Sequence, residues 1–196
     1  MGIIVDVNQL QQGSIMALAT DSSGRLWIGT QDGAAYYNGR KWNIVNLPNR
    51  TTSNYVQSMF VASDGAIWFS ANRGQVHRYE SGQWQSFDTS DGLASTLVRS
   101  IQETTGEDGE RAFWFGTSRG VSKYSRGHWQ TFNARNSALS ADYVYDICKS
   151  ADGALWVATI RGVSRYIHGA FQDVELPQGI RDTVVHKILQ AKDGAL

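Results

Sequence analysis

The sequence has little of what would place it outside the soluble β proteins. Its single cysteine, Cys148, excludes an internal disulfide and a cysteine-based metal site. No apolar run approaches the roughly 20 residues that span a bilayer, and the first residues lack the basic and apolar regions of a secretion signal. Two prolines accompany twenty glycines. With frequent Trp, Tyr, Val and Ile, this composition favours short strands joined by tight turns.

The balance of charges does not indicate a nucleic-acid or membrane partner. Eighteen basic residues balance eighteen acidic ones, so the net charge is zero. This excludes the basic footprint of a nucleic-acid binder or a polybasic membrane anchor, and we predict no nucleic-acid partner and no membrane contact by this chain itself. The histidines occupy unrelated repeat positions without metal-ligand spacing: His77, His128, His168 and His186. We predict no metal and no cofactor.

Tryptophan marks an internal repeat. The members of a first column are separated by 41, 46 and 42 residues: Trp27, Trp68, Trp114 and Trp156. A second column follows them, with phenylalanine in the fourth copy: Trp42, Trp84, Trp129 and Phe171. These two columns contain all seven tryptophans of the chain, which chance placement would not produce. The chain is therefore a repeat protein.

Each repeat predicts four short strands. The first has the form "IMALAT" or "VYDICKS", and the second reads "LWIGT", "IWFSA", "FWFGT" or "LWVAT". The second strand is apolar on both faces, which suits a strand between neighbouring sheets. Its fourth residue is always small, as expected where another backbone approaches closely: Gly29, Ser70, Gly116 and Ala158. The pattern predicts an all-β fold, a β-propeller made of four-stranded antiparallel blades.

The repeat also predicts the organisation of the chain. We assign residues 1–196 to a single β-propeller fragment of about four complete blades, with repeats at approximately 15–55, 56–97, 98–143 and 144–184 and partial copies at 1–14 and 185–196. The last letters, "KDGAL", repeat "ADGALW" up to the residue before its tryptophan. Two outcomes stay open for the unpaired blade edges: the terminal pieces form a fifth blade, or copies of the chain self-associate.

The repeat motif resembles a known family. Segments such as "GRLWIGTQDGAAYYNGRKW" and "GALWVATIRGVSRYIHGAF" are similar to the two-component regulator propeller repeat over nearly the whole chain. That family forms the extracytoplasmic sensor region of bacterial hybrid histidine kinases and diguanylate cyclases. The resemblance implies a non-catalytic, ligand-sensing module of a signal-transduction receptor, in the periplasm or outside the cell, with a small extracellular ligand that is anionic or a saccharide.

Other propellers offer alternative functions. The turn "SADGALW" is one residue tighter than the Asp-box of sialidases, and "AIWFSANRGQVHRY" resembles repeats of streptogramin-type lyases. Such lyases would carry a functional His and Glu pair, which we cannot place in this sequence. We therefore predict that the chain is not an enzyme. A protein–protein interaction scaffold is the main alternative, and a propeller lyase or hydrolase is a further one.

The turns after the second strands supply the first candidate site residues. Three turns carry arginine before glycine and one carries aspartate: Arg73, Arg119, Arg161 and Asp32. These residues either form a partial ring that binds a carboxylate or sulfate, or they are present only because the turn requires a polar residue before its glycine. The loops between blades vary more than the strands, as recognition loops do, and add second-tier candidates: Arg50, Asp91, Arg135 and Arg181.

The third repeat has a longer, acidic first hairpin, "ETTGEDGERAFW". Its carboxylates could bind a cation loosely, although their spacing lacks the calcium-loop pattern: Glu103, Glu107, Asp108 and Glu110. A solvated hairpin is the alternative. We expect this loop at the opposite end of the propeller from the candidate arginines.

Overall fold

The computed structural model describes residues 14–48, 55–71, 75–106, 109–172, 174–177 and 182–195. Within these ranges the chain forms sixteen strands. Blade 1 contains β1 (Ile15–Thr20), β2 (Leu26–Thr30), β3 (Gly33–Tyr37) and β4 (Trp42–Val45). Blade 2 contains β5 (Val56–Val61), β6 (Ile67–Ala71), β7 (Gln75–Glu80) and β8 (Gln83–Phe87). Blade 3 contains β9 (Val98–Thr105), β10 (Arg111–Thr117), β11 (Gly120–Ser125) and β12 (His128–Phe132). Blade 4 contains β13 (Val144–Lys149), β14 (Leu155–Thr159), β15 (Gly162–Ile167) and β16 (Ala170–Gln172).

Each blade is a four-stranded antiparallel sheet whose strand order follows the sequence. The first strands of successive blades contact one another, from β1 to β5, β9 and β13, so they are the innermost strands. The predicted all-β propeller fragment of four blades is confirmed. The described residues contain no helix that could span a membrane.

The first tryptophan column packs between blades. Trp68 is fully buried, and its ring centroid lies 4.8 Å from that of Phe113 and 5.3 Å from that of Phe115, both in blade 3. Trp27 meets blade 2 in the same way, and Trp114 meets blade 4. Each of these rings contacts aromatic residues of both its own blade and the next, so contacts between blades contribute to cohesion, as in other repeat proteins.

The small fourth residue of the second strand has a different neighbour from the one expected. A Cβ added to Gly29 would lie 2.5 Å from the Cγ1 atom of Val56, and one added to Gly116 would lie 2.7 Å from that of Val144. These valines begin the first strand of the next blade. The expected close approach of another backbone was therefore wrong, because a side chain of the next blade fills the space.

The segment 182–195 lies beside blade 4 without forming a strand. The Val185 N–H donates to the Thr159 carbonyl oxygen at 3.0 Å. The Ala191 and Gly194 N–H groups close a turn with the bonding pattern that blade 4 has at Ser150 and Gly153. The segment thus repeats the turn that joins the first and second strands of blade 4. The predicted partial copy at residues 1–14 lies, except for Ser14, outside the described residues.

Candidate functional site

The turns after the second strands and the loops between blades lie on one face of the propeller. The Ser118 N–H donates to the Leu97 carbonyl at 3.2 Å, and the Gly120 N–H donates to the Asp142 carbonyl at 2.6 Å. In blade 4 the Ile160 N–H donates to the Tyr143 carbonyl at 3.1 Å. We call this side the loop face. These backbone hydrogen bonds hold the turns and the loops between blades together.

A threonine side chain shapes these turns. The Thr117 Oγ1 atom accepts from the Arg119 N–H at 3.0 Å and donates to the Gly120 carbonyl at 2.8 Å. Thr30 and Thr159 make the same pair of bonds in blades 1 and 4. The turn therefore bonds only to the backbone of the residue before glycine. The side chain of that residue is exposed in three blades: Asp32, Arg119 and Arg161. This explains why both aspartate and arginine fit there. Arg73 lies outside the described residues.

Two of the four second-tier candidates lie within the described residues, and both are exposed. Asp91 is exposed, and its carboxylate accepts from the Asp88 N–H at 2.8 Å, which closes the loop after β8. Arg135 is exposed, and its N–H donates to Asn133 Oδ1 at 2.9 Å. Arg50 and Arg181 lie outside the described residues. A ligand role for all four stays a prediction.

Two carboxylates of the acidic hairpin of blade 3 have partners within the protein. Glu103 accepts from the N–H and the hydroxyl of Ser63 in blade 2, both at 2.7 Å. Glu110 pairs with Arg126 at 3.0 Å. Glu107 and Asp108 lie outside the described residues. Within the described ranges, no group of three or more His, Cys, Asp and Glu side chains could hold a metal ion.

Each innermost strand has a β-bulge at its second residue, a feature that sequence reasoning missed. In blade 3, Val98 pairs with Thr117 and Ser100 pairs with Gly116, so Arg99 has no partner in the ladder. Blades 1, 2 and 4 repeat this irregularity. We call the four unpaired residues the bulge residues: Met16, Gln57, Arg99 and Tyr145. Bulges re-aim side chains and are frequent next to functional sites.

The bulge residues of blades 3 and 4 meet at the loop-face end of the innermost strands. The Arg99 guanidinium carbon lies 5.2 Å from the ring centroid of Tyr143 and 5.1 Å from that of Tyr145. The Arg99 Nη2 atom donates to the Tyr143 hydroxyl at 2.7 Å. The Tyr145 ring contacts His186 edge-on at 4.5 Å. These four residues, Arg99, Tyr143, Tyr145 and His186, form what we call the arginine–tyrosine cluster.

A hydrogen-bonded column beside the cluster joins the innermost strands. Ser100 Oγ donates to Asp146 at 2.9 Å and accepts from the Ile147 N–H at 3.1 Å. The other Asp146 oxygen accepts from the Ile188 N–H and from Lys187 Nζ, both at 3.2 Å. Asp146 is therefore compensated although it is buried, and it stabilises the blade junctions.

A cleft of about 840 Å³ opens between blades 3 and 4 on the face opposite the loop face. Its wall includes Trp114, Lys123, Glu110 and Asp152. Asp152 pairs with Arg165 at 2.6 Å. Hydrogen bonds from Ser150 and the Ala154 N–H lower the pKa of Asp152 to about 2, with Arg165 contributing. The acidic groups of this cleft thus have basic or hydrogen-bonded partners within the protein.

Comparisons with known proteins agree with this architecture. The model of a family described as two component regulator propeller matches residues 9–32 and 138–161. Both matched stretches run through a first strand to the turn after the second strand, and the latter contains Tyr143 and Tyr145. No curated protein matches the sequence significantly.

Solved structures share the fold at low identity. The extracellular domain of BT4673 from B. thetaiotaomicron, described as a one-component and as a hybrid two-component system, is 21% identical with a TM-score of 0.74 over 92% of this chain and 24% of that one. The chain thus spans about a quarter of that domain's length. Virginiamycin B lyase from Staphylococcus aureus, solved with quinupristin, is 19% identical with a TM-score of 0.69 over 87% of this chain and 58% of the lyase. The family model thus matches two stretches of this chain, one in blade 1 and one in blade 4, and the described residues form four blades of the same architecture.

Proposed function

We propose that this chain is part of the extracytoplasmic, ligand-sensing propeller of a bacterial signal-transduction receptor. The observation that carries the proposal is the match to two-component regulator propeller repeats in two separate blades. It is supported by the structural similarity to domains described as extracellular parts of one-component and hybrid two-component systems. In this proposal the propeller lies in the periplasm or outside the cell and does not catalyse a reaction.

The loop face is the proposed ligand-binding surface. The strands below it form a packed scaffold, with Trp27, Trp68 and Trp114 buried between blades. The side chains that the loop face presents differ from blade to blade, which is the usual arrangement of recognition residues on a rigid scaffold. Ligand binding there requires no rearrangement of the blades.

Thermal-shift screening of the intact chain tests the proposal. Small carboxylates, sulfated sugars and neutral sugars are added separately at matched ionic strength. We expect one ligand class to raise the melting temperature in a concentration-dependent way, because a ligand that binds the folded state stabilises it. Absence of stabilisation, combined with capture of a stoichiometric protein partner, would favour the interaction-scaffold function instead. Turnover abolished by a single His or Glu substitution would favour the lyase alternative.

A further inference from the structure

We infer that the loop face binds a small ligand through an oxyanion, a carboxylate or a sulfate, held by Arg99. We also infer that the bulge residues decide which ligand fits. The inference rests on the proposed sensing function and names its binding residue and ligand chemistry.

Arg99 is a half-buried cation that lacks a counter-ion in the described ranges. Its guanidinium makes no ion pair with the described carboxylates. Its Nε atom is buried and has no hydrogen-bond acceptor there. A partly desolvated charge with an unsatisfied donor is unfavourable, and buried polar groups in native proteins are normally satisfied. A bound oxyanion would supply both the missing charge and the missing acceptor.

The surroundings of Arg99 hold the guanidinium in place. Tyr143 fixes Nη2 through its hydroxyl at 2.7 Å, while the rings of Tyr143 and Tyr145 lie 5.2 and 5.1 Å from the guanidinium carbon. Rings at this distance stabilise a cation without neutralising it. A planar guanidinium in a fixed orientation suits bidentate recognition of an oxyanion. Binding therefore requires little ordering of the site, which favours affinity.

The turns that carry Arg119 and Arg161 lie beside this cluster. The turn of Arg119 bonds to Leu97, two residues before Arg99, and to Asp142, next to Tyr143. The turn of Arg161 bonds to Tyr143 itself. Two exposed arginines thus stand on turns that contact the strand ends of the cluster. They would raise the local concentration of anions and steer them toward Arg99.

The repeat supplies an independent argument for a recognition role. The residue before each bulge is apolar in all four blades, and the residue after it is small in three. The bulge position itself holds methionine, glutamine, arginine and tyrosine in turn. A fixed backbone irregularity with a different side chain in each blade is the arrangement expected of residues that define specificity. A purely structural bulge would not need such variety.

The cleft on the opposite face is a poorer anion site despite its volume of about 840 Å³. Its Arg126 is paired with Glu110 at 3.0 Å, and its Asp152 is paired with Arg165 at 2.6 Å. An anion entering the cleft would have to compete with these carboxylates. Arg99 presents no such competition among the described residues.

Isothermal titration of the intact chain tests the inference. Sodium acetate, sodium glucuronate and sodium sulfate are titrated at constant ionic strength with chloride, into wild type, Arg99→Gln, Arg99→Lys and Arg40→Gln. Arg40 is exposed in the turn between β3 and β4, so its substitution removes the same charge far from the cluster. We expect wild type and Arg40→Gln to bind one of the anions with affinities within twofold of each other. We expect Arg99→Gln to weaken binding at least tenfold and Arg99→Lys to weaken it less, because lysine keeps the charge but loses the planar fork.

The outcomes separate this inference from the proposed function. Equal anion affinity in wild type and Arg99→Gln would overturn the inference. Binding of a neutral ligand that is unaffected by Arg99→Gln would also overturn it, while leaving the sensing function intact. If Arg99→Gln fails to fold, Tyr143→Phe provides the second test: losing the hydroxyl that orients Nη2 should weaken anion binding severalfold, and unchanged affinity would contradict the inference. A preference for glucuronate and acetate over sulfate would identify the oxyanion as a carboxylate, and the reverse would identify it as a sulfate.

Discussion

Single residues inside the blades show how burial controls chemistry in this chain. His77 is 3% exposed in β7, its Nδ1 atom lies 2.9 Å from Ser86 Oγ, and burial lowers its pKa from 6.5 to about 4. The folded state therefore resists protonation of this ring, whereas the unfolded state accepts a proton below about pH 6.5. Stability that is fully present above pH 6.5 must be lost as the pH falls toward 4.

We expect the free energy of unfolding to fall by about 2 kcal/mol between pH 7 and pH 5, since the slope approaches about 1.4 kcal/mol per pH unit for one proton. Urea denaturation across this range measures it. His77→Asn should flatten the profile, and His128→Asn, at the exposed first residue of β12, is the matched control. Parallel profiles for wild type and His77→Asn would show that another group is responsible.

A second residue-scale prediction concerns the hydrogen-bond partner of a buried tryptophan. Trp114 is 1% exposed, and its Nε1 atom donates to Thr104 Oγ1 at 2.8 Å. Thr104→Ala leaves this donor without an acceptor and should lower the free energy of unfolding by about 1–2 kcal/mol. Thr105→Ala, one residue further and exposed, should change it by less than about 0.5 kcal/mol. Equal effects in chemical denaturation would contradict this role of Thr104.

At the scale of the element, the innermost strand combines a fixed framework with one variable residue. Its first residue packs under the small fourth residue of the preceding blade's second strand, as Val56 does at Gly29. The pairing resumes one residue late, and the unpaired residue becomes available for recognition. Within three residues, the strand thus contains one residue that packs against the preceding blade and one that we propose contacts the ligand.

The sequence predicted the blades well and the cluster poorly, for a physical reason. The blade pattern depends on residues that recur in register, such as Trp27 and Trp68, because every junction has the same packing requirement. A bulge adds a residue without changing the composition of its strand, so "VRSIQET" reads the same with or without it. The contact between Arg99 and Tyr143 joins residues 44 positions apart, in a junction that only the assembled blades create.

At the scale of the whole molecule, the packing between blades sets the stability. Trp68 lies between blades 2 and 3 and is fully buried, whereas Trp156 in blade 4 is only half-buried. Trp68 therefore contributes more to the packing between blades than Trp156 does, although both occupy the same repeat position. This difference gives a matched pair of substitutions.

We expect Trp68→Ala to lower the free energy of unfolding by about 3–5 kcal/mol, the range for large buried aromatic residues, and Trp156→Ala to lower it by less than half as much. Urea denaturation followed by circular dichroism compares the two. If Trp68→Ala does not fold, Trp68→Phe and Trp156→Phe give the same comparison at smaller amplitude. Similar losses at the two positions would show that stability resides within the blades and not in the packing between them.

A nuclear magnetic resonance map of the labelled intact chain, recorded during titration with the anion that it binds, tests anion binding at the loop face most directly. We expect the Arg99 Nε–H signal to shift, together with the backbone amide signals of residues 97–99, 118–120, 142–145 and 160. We expect the amide signals around the opposite cleft, such as those of Gly106 and Gly153, not to shift. Shifts confined to that cleft, with an unmoved Arg99 signal at saturation, would contradict an anion-sensing loop face.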